Sequence, residues 1–188
     1  MTETREQSPV DIPADAPVHP DDTTWRYRLA PISVDSDGYA IRIDPGPTQG
    51  GGITIGSTDY ELQQFHFHSP AEHTFAGARA AMEVHFVHTD ADGALCAVGV
   101  LIVVGEHHPA LERILARTDS LDPTQLLPID RSYVTYHGSL TTPPHTEGVT
   151  WRLLMKPIEL SVPQLAAFQA WHHDNARPIQ PLDGRTFG

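Results

Sequence analysis

The sequence predicts a β-rich mixed α/β fold with short peripheral helices. The 188 residues include 17 prolines and 14 glycines, a density that divides a chain into short segments joined by turns. Between these breaks lie short runs in which apolar and polar residues alternate, as in half-buried strands, while only two segments have helical spacing. This length supports one sizeable core and is too short for two ordinary domains, so residues 1–188 are expected to form a single domain.

The strand predictions follow the chain in order. Residues 1–24 are acidic and rich in proline, which predicts an irregular arm on the surface. The run at 96–104 is almost wholly apolar and rich in β-branched residues, which is typical of a central strand buried on both faces. The segments predicted as strands are 25–34, 39–43, 51–56, 60–68, 81–88 and 96–104.

Two helices are predicted. In 109–117, Leu111, Ile114 and Leu115 recur at helical spacing after a proline suited to a first turn. In 161–172, Ser161 stands three residues before Gln164, a pairing typical of a capping box at a helix N-terminus.

Composition also limits the classes of partner. With 24 acidic against 12 basic residues, the formal charge is −12, so no attraction to phosphate backbones or anionic lipid is expected. No apolar run approaches the roughly 18 residues of a membrane span, and residues 1–7 lack the apolar stretch of a signal peptide. The single cysteine, Cys96, cannot form an internal disulfide. A cytoplasmic protein is therefore expected, or a periplasmic or secreted one if an export signal has been removed.

Histidines are abundant, and three of them fall in a pattern that suits a metal. Along the predicted strand at 60–68, Gln64, His66 and His68 share one face, while Gln63, Phe65 and Phe67 share the other. Two imidazoles at this spacing can ligate one ion, since neutral imidazole suits zinc and other borderline metals.

The next predicted strand supplies a third imidazole. Glu83, His85 and Val87 share one face there, opposite Met82, Val84 and Phe86. If the two strands pair antiparallel, His85 faces His66 and His68, which leaves a fourth metal position open, as a catalytic zinc site requires. Gln64 and Glu83 lie where they can hold the imidazole N–H groups and fix the tautomers.

Seven motifs, in order over nearly the whole chain, resemble the signature of the alpha-class carbonic anhydrases. They occur at 7–12 (QSPVDI), 64–68 (QFHFH), 72–74 (EHT), 82–85 (MEVH), 136–144 (YHGSLTTPP), 147–151 (EGVTW) and 175–182 (NARPIQPL). The resemblance implies a central twisted, mostly antiparallel sheet of about eight to ten strands. It also implies reversible hydration of CO2 to bicarbonate and a proton, so the expected partner is a small-molecule substrate.

Carried over position by position, the resemblance implies that His66, His68 and His85 bind Zn²⁺. It further implies that Thr141 accepts a hydrogen bond from zinc-bound hydroxide and donates one, through its own hydroxyl, to Glu72. Thr142 is expected to hold bicarbonate. The expected apolar wall for CO2 consists of Val87, Ala97, Leu140, Val149 and Trp151, with Ala97 standing where a larger valine is common.

Two positions depart from the family pattern. Tyr39 follows Asp37-Gly38 where the family carries a proton-shuttling histidine after Asn-Gly, so proton export is expected to be the weak step. His145 follows the two prolines where exported bacterial members often carry a cysteine of a pair.

Two alternatives remain open at the level of sequence. The pattern His66-x-His68-x3-Glu72 also fits the first motif of the cupins, iron- or manganese-binding jelly rolls, in which Glu72 would be a ligand. Tyr60 stands where that motif expects glycine, and no second cupin motif is present. The other alternative is a catalytically weak carbonic anhydrase-like binding protein.

Overall fold

The computed structural model describes residues 6–36, 41–46 and 49–188. Within these residues there are two α-helices, α1 (Pro109–Leu115) and α2 (Val162–Trp171), and a 3₁₀ turn at Pro123–Leu126. The strands are β1 (Asp11–Ile12), β2 (Thr23–Trp25), β3 (Ala30–Pro31), β4 (Ser33–Ser36), β5 (Ile41–Asp44), β6 (Gly52–Ile55), β7 (Thr58–His68), β8 (Thr74–Phe75), β9 (Ala78–Arg79), β10 (Met82–Thr89), β11 (Leu95–Val104), β12 (Ser120–Leu121), β13 (Tyr133–Ser139) and β14 (Glu147–Leu160).

In the described part of the chain, nine strands form one mixed sheet. Its main order is β13-β14-β11-β10-β7-β5-β4, with β6 also pairing to β7 and β2 to β6. Every pair in this sheet is antiparallel except β11 with β14. The predicted fold, a β-rich and mostly antiparallel sheet with short peripheral helices, is confirmed.

Strands β7 and β10 form the centre of the sheet in the predicted antiparallel pairing, with His85 directly opposite His66. The register shifts where Val87 pairs with Gln64 and His88 pairs with Leu62, so Gln63 is an extra residue bulged out of the ladder. Gln63 is therefore exposed rather than buried beside Phe65 and Phe67, as strict alternation predicts.

One face of the sheet carries the main apolar core. Phe65, Phe67 and Phe86 are fully or almost fully buried there, and the ring of Phe168 from α2 lies 5.2 Å from that of Phe67. The opposite face carries a second apolar cluster around Trp151, together with the three histidines of interest. The two faces of β7 and β10 therefore differ in chemistry, as the alternation of the sequence predicts.

Both predicted helices are present. Helix α1 ends two residues earlier than predicted because Arg117, at φ 53°, turns the backbone into the left-handed region. At the start of α2, the backbone N–H of Ser161 donates to Oε1 of Gln164, which is the reciprocal half of a capping box. No helix in the described residues is long and apolar enough to cross a membrane.

In three segments the secondary structure differs from the sequence prediction. The run 25–34 is divided among β2, β3 and β4. Beyond β2, the N–H of Arg26 bonds to the carbonyl of Gly52 at the start of β6, and the N–H of Arg28 bonds to the carbonyl of Gly50 in the turn before it. The expected arm contains β1, which pairs parallel with β8, and a bridge from His19 to Tyr133. Strands β13 and β14 lie at one end of the strand order, in segments where the sequence pattern predicts no strand.

Candidate metal centre

Three imidazoles converge on one face of the sheet. His66 and His68 project from β7, and His85 projects from β10 directly opposite His66. One ring nitrogen of each histidine lies within 4.8 Å of those of the other two, and all three side chains are buried. Strand pairing and the two-residue alternation therefore bring the predicted set together.

Each imidazole has a protein oxygen within 3.2 Å of one ring nitrogen. His66 Nδ1 lies 2.9 Å from Gln64 Oε1, and His68 Nδ1 lies 3.2 Å from the carbonyl oxygen of Asn175. His85 Nε2 lies 3.0 Å from Glu83 Oε1. An acceptor at one nitrogen places the proton there and leaves the lone pair on the other nitrogen.

The remaining nitrogens fit a metal ion. His66 Nε2, His68 Nε2 and His85 Nδ1 are buried and have no hydrogen-bond partner. Buried polar atoms without partners are rare in folded proteins and demand an explanation. Three such imidazole nitrogens, converging on one point, form the donor set of a three-histidine zinc site.

Glu83 contacts the predicted metal ligand His85 and also binds the backbone of the segment at 72–73. Its Oε2 accepts the backbone N–H groups of Glu72 and His73, each at 2.9 Å. Its Oε1 faces His73 Nδ1 at 2.8 Å as well as His85 Nε2. Burial raises the pKa of Glu83, but electrostatic attraction and hydrogen bonding from His73 and His85 outweigh it and hold this pKa well below its usual value.

Burial lowers the pKa of all three histidines, and the carboxylate of Glu83 reverses that effect for one of them. Burial, with the neighbouring imidazoles, holds the pKa of His66 well below its usual value, and burial lowers the pKa of His68 to about 4. For His85, burial is outweighed by Glu83, which raises its pKa. His66 and His68 are therefore neutral at pH 7, the form that binds metal.

Glu72 lies against the ligand nitrogens. Its Oε2 is buried without a hydrogen-bond partner, 3.3 Å from His68 Nε2 and 3.7 Å from His85 Nδ1. Its Oε1 accepts the backbone N–H of Arg177 at 2.7 Å. Thr141 is buried, but the hydrogen bond to Glu72 that the resemblance implies is not formed in the described structure, since Oε2 has no donor.

The apolar residues named from the resemblance occupy one region of this face. Val87, Ala97 and Trp151 are in register across β10, β11 and β14. Val149 lies two residues before Trp151 on β14 and is fully buried. Leu140 packs against the apolar cluster around Trp151. Thr142 is half-buried in the turn after Leu140, where its carbonyl accepts the N–H of His145. Tyr39 lies outside the described residues.

Several contributing residues were not assigned from the sequence. Asn175 binds three groups of β7 and its end, through His68 Nδ1, the Ser69 N–H and the Phe67 carbonyl. His73 links Glu83 to the hydroxyl of Tyr136, at 2.8 and 2.7 Å. The only sequence signal for these residues is their place within the family-like motifs at 72–74, 136–144 and 175–182, because their contacts join distant segments.

Known proteins are similar to this chain in sequence and in fold. A family model described as "Eukaryotic-type carbonic anhydrase" matches residues 1–187. A carbonic anhydrase from Klebsiella pneumoniae is 41% identical, over 96% of this chain and 78% of its own length. An alpha-carbonic anhydrase from Thermovibrio ammonificans, solved with the inhibitor sulfanilamide, is 36% identical with a TM-score of 0.87, covering 97% of this chain and 86% of that one.

A third relative agrees. The alpha-carbonic anhydrase from Photobacterium profundum is 34% identical with a TM-score of 0.85, over 99% of this chain and 90% of that one. These similarities extend over nearly the whole sequence and include every strand that carries the three histidines. The chain belongs to the eukaryotic-type, or alpha, carbonic anhydrase family.

Proposed function

We propose that this protein catalyses the reversible hydration of CO2 to bicarbonate and a proton, with Zn²⁺ held by His66, His68 and His85. In this proposal residues 1–188 act as one domain. The observation that carries the proposal is the convergence of three buried imidazole nitrogens without partners, each on a ring whose other nitrogen lies within 3.2 Å of a protein oxygen. Bound zinc would supply hydroxide at neutral pH by lowering the pKa of a coordinated water to about 7, the value known for carbonic anhydrases.

The apolar wall supplies proximity. CO2 carries no charge, so Val87, Ala97, Leu140, Val149 and Trp151 would hold it by contact and by exclusion of water rather than by hydrogen bonds. The indole N–H of Trp151 donates to the carbonyl of Ser139 at 2.9 Å, so this ring presents no unsatisfied polar atom to the substrate.

Thr141 and Glu72 would orient the nucleophile. Oε2 of Glu72 is buried with free lone pairs, so it can accept a hydrogen bond from the Thr141 hydroxyl. The hydroxyl oxygen of Thr141 would then accept a hydrogen bond from the attacking oxygen and direct its lone pair at the carbon. Thr142 would contact the bicarbonate product.

The experiment compares the protein as isolated, after removal of metal with a chelator, and after addition of one equivalent of Zn²⁺. We expect CO2 hydration, followed by stopped flow with a pH indicator, to disappear with the metal and to return at one zinc per chain. An aromatic sulfonamide should inhibit the zinc-loaded protein. The matched control is His107→Ala, at an exposed histidine outside the site, which should behave as the wild type.

Full zinc occupancy without CO2 hydration would overturn the proposed function and favour the binding-protein alternative. Activity that survives removal of the metal would also contradict it. Insensitivity to sulfonamides at millimolar concentration would argue against an open metal position beside an apolar wall.

A further inference from the structure

Strand β5 places an arginine beside the histidine site. Arg42 pairs with His66 across β5 and β7, and Ile43 pairs with Phe65 in the next register position. Ile43 and Phe65 are both fully buried in the main core. Because paired residues project to the same side of a sheet and neighbours alternate, Arg42 projects to the side of His66.

The charge of Arg42 is only weakly compensated. In the described residues its one ion pair is with Asp44, where Nη2 and Oδ2 are 3.9 Å apart and the side chains are 49% and 47% exposed. The other oxygen of Asp44 accepts the backbone N–H of Gly46 at 2.8 Å, which ties that carboxylate to the turn. An exposed pair at the limit of contact is weak, so the guanidinium keeps donors and charge for another anion.

The field of Arg42 reaches the metal face. Burial is the largest cause of the low pKa of His66, followed by His68, His85 and then Arg42. The overall charge of the chain, −12, opposes the approach of anions, so a local cation beside the site has a disproportionate effect.

We propose that Arg42 is an anion-receiving residue of this site, drawing small monovalent anions such as bicarbonate to the metal face. The same positive charge opposes the binding of a divalent cation to the three histidines. This inference rests on the proposed function, because bicarbonate is the anion which that reaction forms and consumes.

The two effects of one charge have opposite signs. For unit charges roughly 6–10 Å apart at an effective dielectric constant of about 40–80, Coulomb's law gives about a two- to tenfold effect on the affinity for a monovalent anion. The effect on a divalent cation is larger and reversed. A residue that merely stabilises the site would change both affinities in the same direction.

The experiment uses the full chain with Arg42→Gln, Arg42→Lys and, as a matched loss of one positive charge outside the site, Lys156→Gln. Affinity for Zn²⁺ is measured by competition with a chelator. Anion affinity is measured by titrating thiocyanate into the Co²⁺-loaded protein and following the visible absorption of the metal. We expect Arg42→Gln to weaken thiocyanate binding about two- to tenfold and to tighten Zn²⁺ binding, while Arg42→Lys and Lys156→Gln resemble the wild type.

A second variant makes the local charge more positive instead of less positive. Asp44→Asn removes the opposing carboxylate and keeps an oxygen for the Gly46 N–H, so it should strengthen thiocyanate binding and weaken Zn²⁺ binding. Unchanged affinities in Arg42→Gln would overturn the proposal. Weakening of both ligands, or tighter Zn²⁺ with unchanged thiocyanate, would also overturn it.

The CO2 hydration assay separates this inference from the proposed function. A wild type that hydrates CO2, combined with an Arg42→Gln variant whose affinities do not change, would reject the role of Arg42 alone. A wild type that binds zinc without hydrating CO2 would reject the function, while the zinc and thiocyanate affinities would still report the charge effect of Arg42.

Discussion

The two faces of strands β7 and β10 each carry buried histidines, and the comparison shows what distinguishes a structural histidine from a metal ligand. His88, on the core face, has Nε2 2.7 Å from the hydroxyl of Tyr27 and Nδ1 3.1 Å from the carbonyl of Cys96. His68, on the other face, has one nitrogen on the carbonyl of Asn175 and the other without a hydrogen-bond partner.

Burial and pKa do not separate these two residues. Both are fully buried, and burial lowers the pKa of each to about 4. A strongly perturbed pKa is often used to find functional sites, yet here it marks a structural residue equally well. The decisive difference is whether the protein satisfies both ring nitrogens, as it does for His88, or only one.

The largest expected effect tests this difference directly. His85→Ala should lose bound zinc and CO2 hydration together, to the limit of detection, because two imidazoles are too few for a tetrahedral zinc site. The paired variant Tyr27→Phe/His88→Phe, which removes both members of the core pair, should keep one zinc per chain. Metal content by mass spectrometry and stopped-flow rates measure both.

Full zinc occupancy in His85→Ala would contradict the assignment. It would indicate that Glu72, whose Oε2 lies 3.3 Å from His68 Nε2, acts as a ligand as in the cupin alternative.

The next effect concerns Thr141, which the proposed function places beside the substrate rather than on the metal. Thr141→Ala should retain zinc and lose about 10²-fold in the rate of CO2 hydration, the usual cost of removing one preorganised polar group from an active site. Thr141→Ser, which keeps the hydroxyl, is the matched control and should retain most of the rate. A Thr141→Ala protein as fast as the wild type would show that the proposed pair with Glu72 does not orient the nucleophile.

A smaller effect is expected from the group that holds a ligand in place. In the wild type, the imidazoles of His73 and His85 both lie against Oε1 of Glu83. Glu83→Gln puts an amide NH2, which cannot accept a hydrogen bond, in that place. Zinc affinity, measured by chelator competition, should fall about 10- to 100-fold. Gln64→Ala should cost less, since Gln64 is only half-buried and water can replace its contact with His66. An equal loss in the two variants would contradict this ranking.

The strands that carry the site could be predicted because their evidence is local. Alternation placed His66 and His68 on one face of β7, and the short connection to β10 brought His85 opposite them. The bulge at Gln63 could not be predicted, because it depends on the pairing partner rather than on the strand's own pattern.

Contacts between distant segments were also outside the reach of the pattern. Asn175 lies more than 100 residues from His68, and no periodicity connects them. The same holds for Arg42, whose position beside the site follows only from the register of β5 with β7. The resemblance to a family supplied motif positions, while the hydrogen-bond partners required coordinates.

The smallest expected effect sharpens the comparison through pH. His88 has a pKa of about 4 in the folded protein against 6.5 in a model peptide, so between these values the unfolded chain binds a proton that the folded chain rejects. Stability contributed by neutral His88 is therefore complete above pH 6.5 and is lost as the pH falls toward 4. Between pH 7 and pH 5 this loss amounts to about 2 kcal/mol.

Urea unfolding of the metal-free protein should show that loss in the wild type. In Tyr27→Phe/His88→Phe the decline should be shallower by this amount, because His68 contributes equally to both proteins and cancels. Parallel declines would mean that the folded core admits a charged His88, in which case satisfaction of both nitrogens would no longer explain why this histidine is structural.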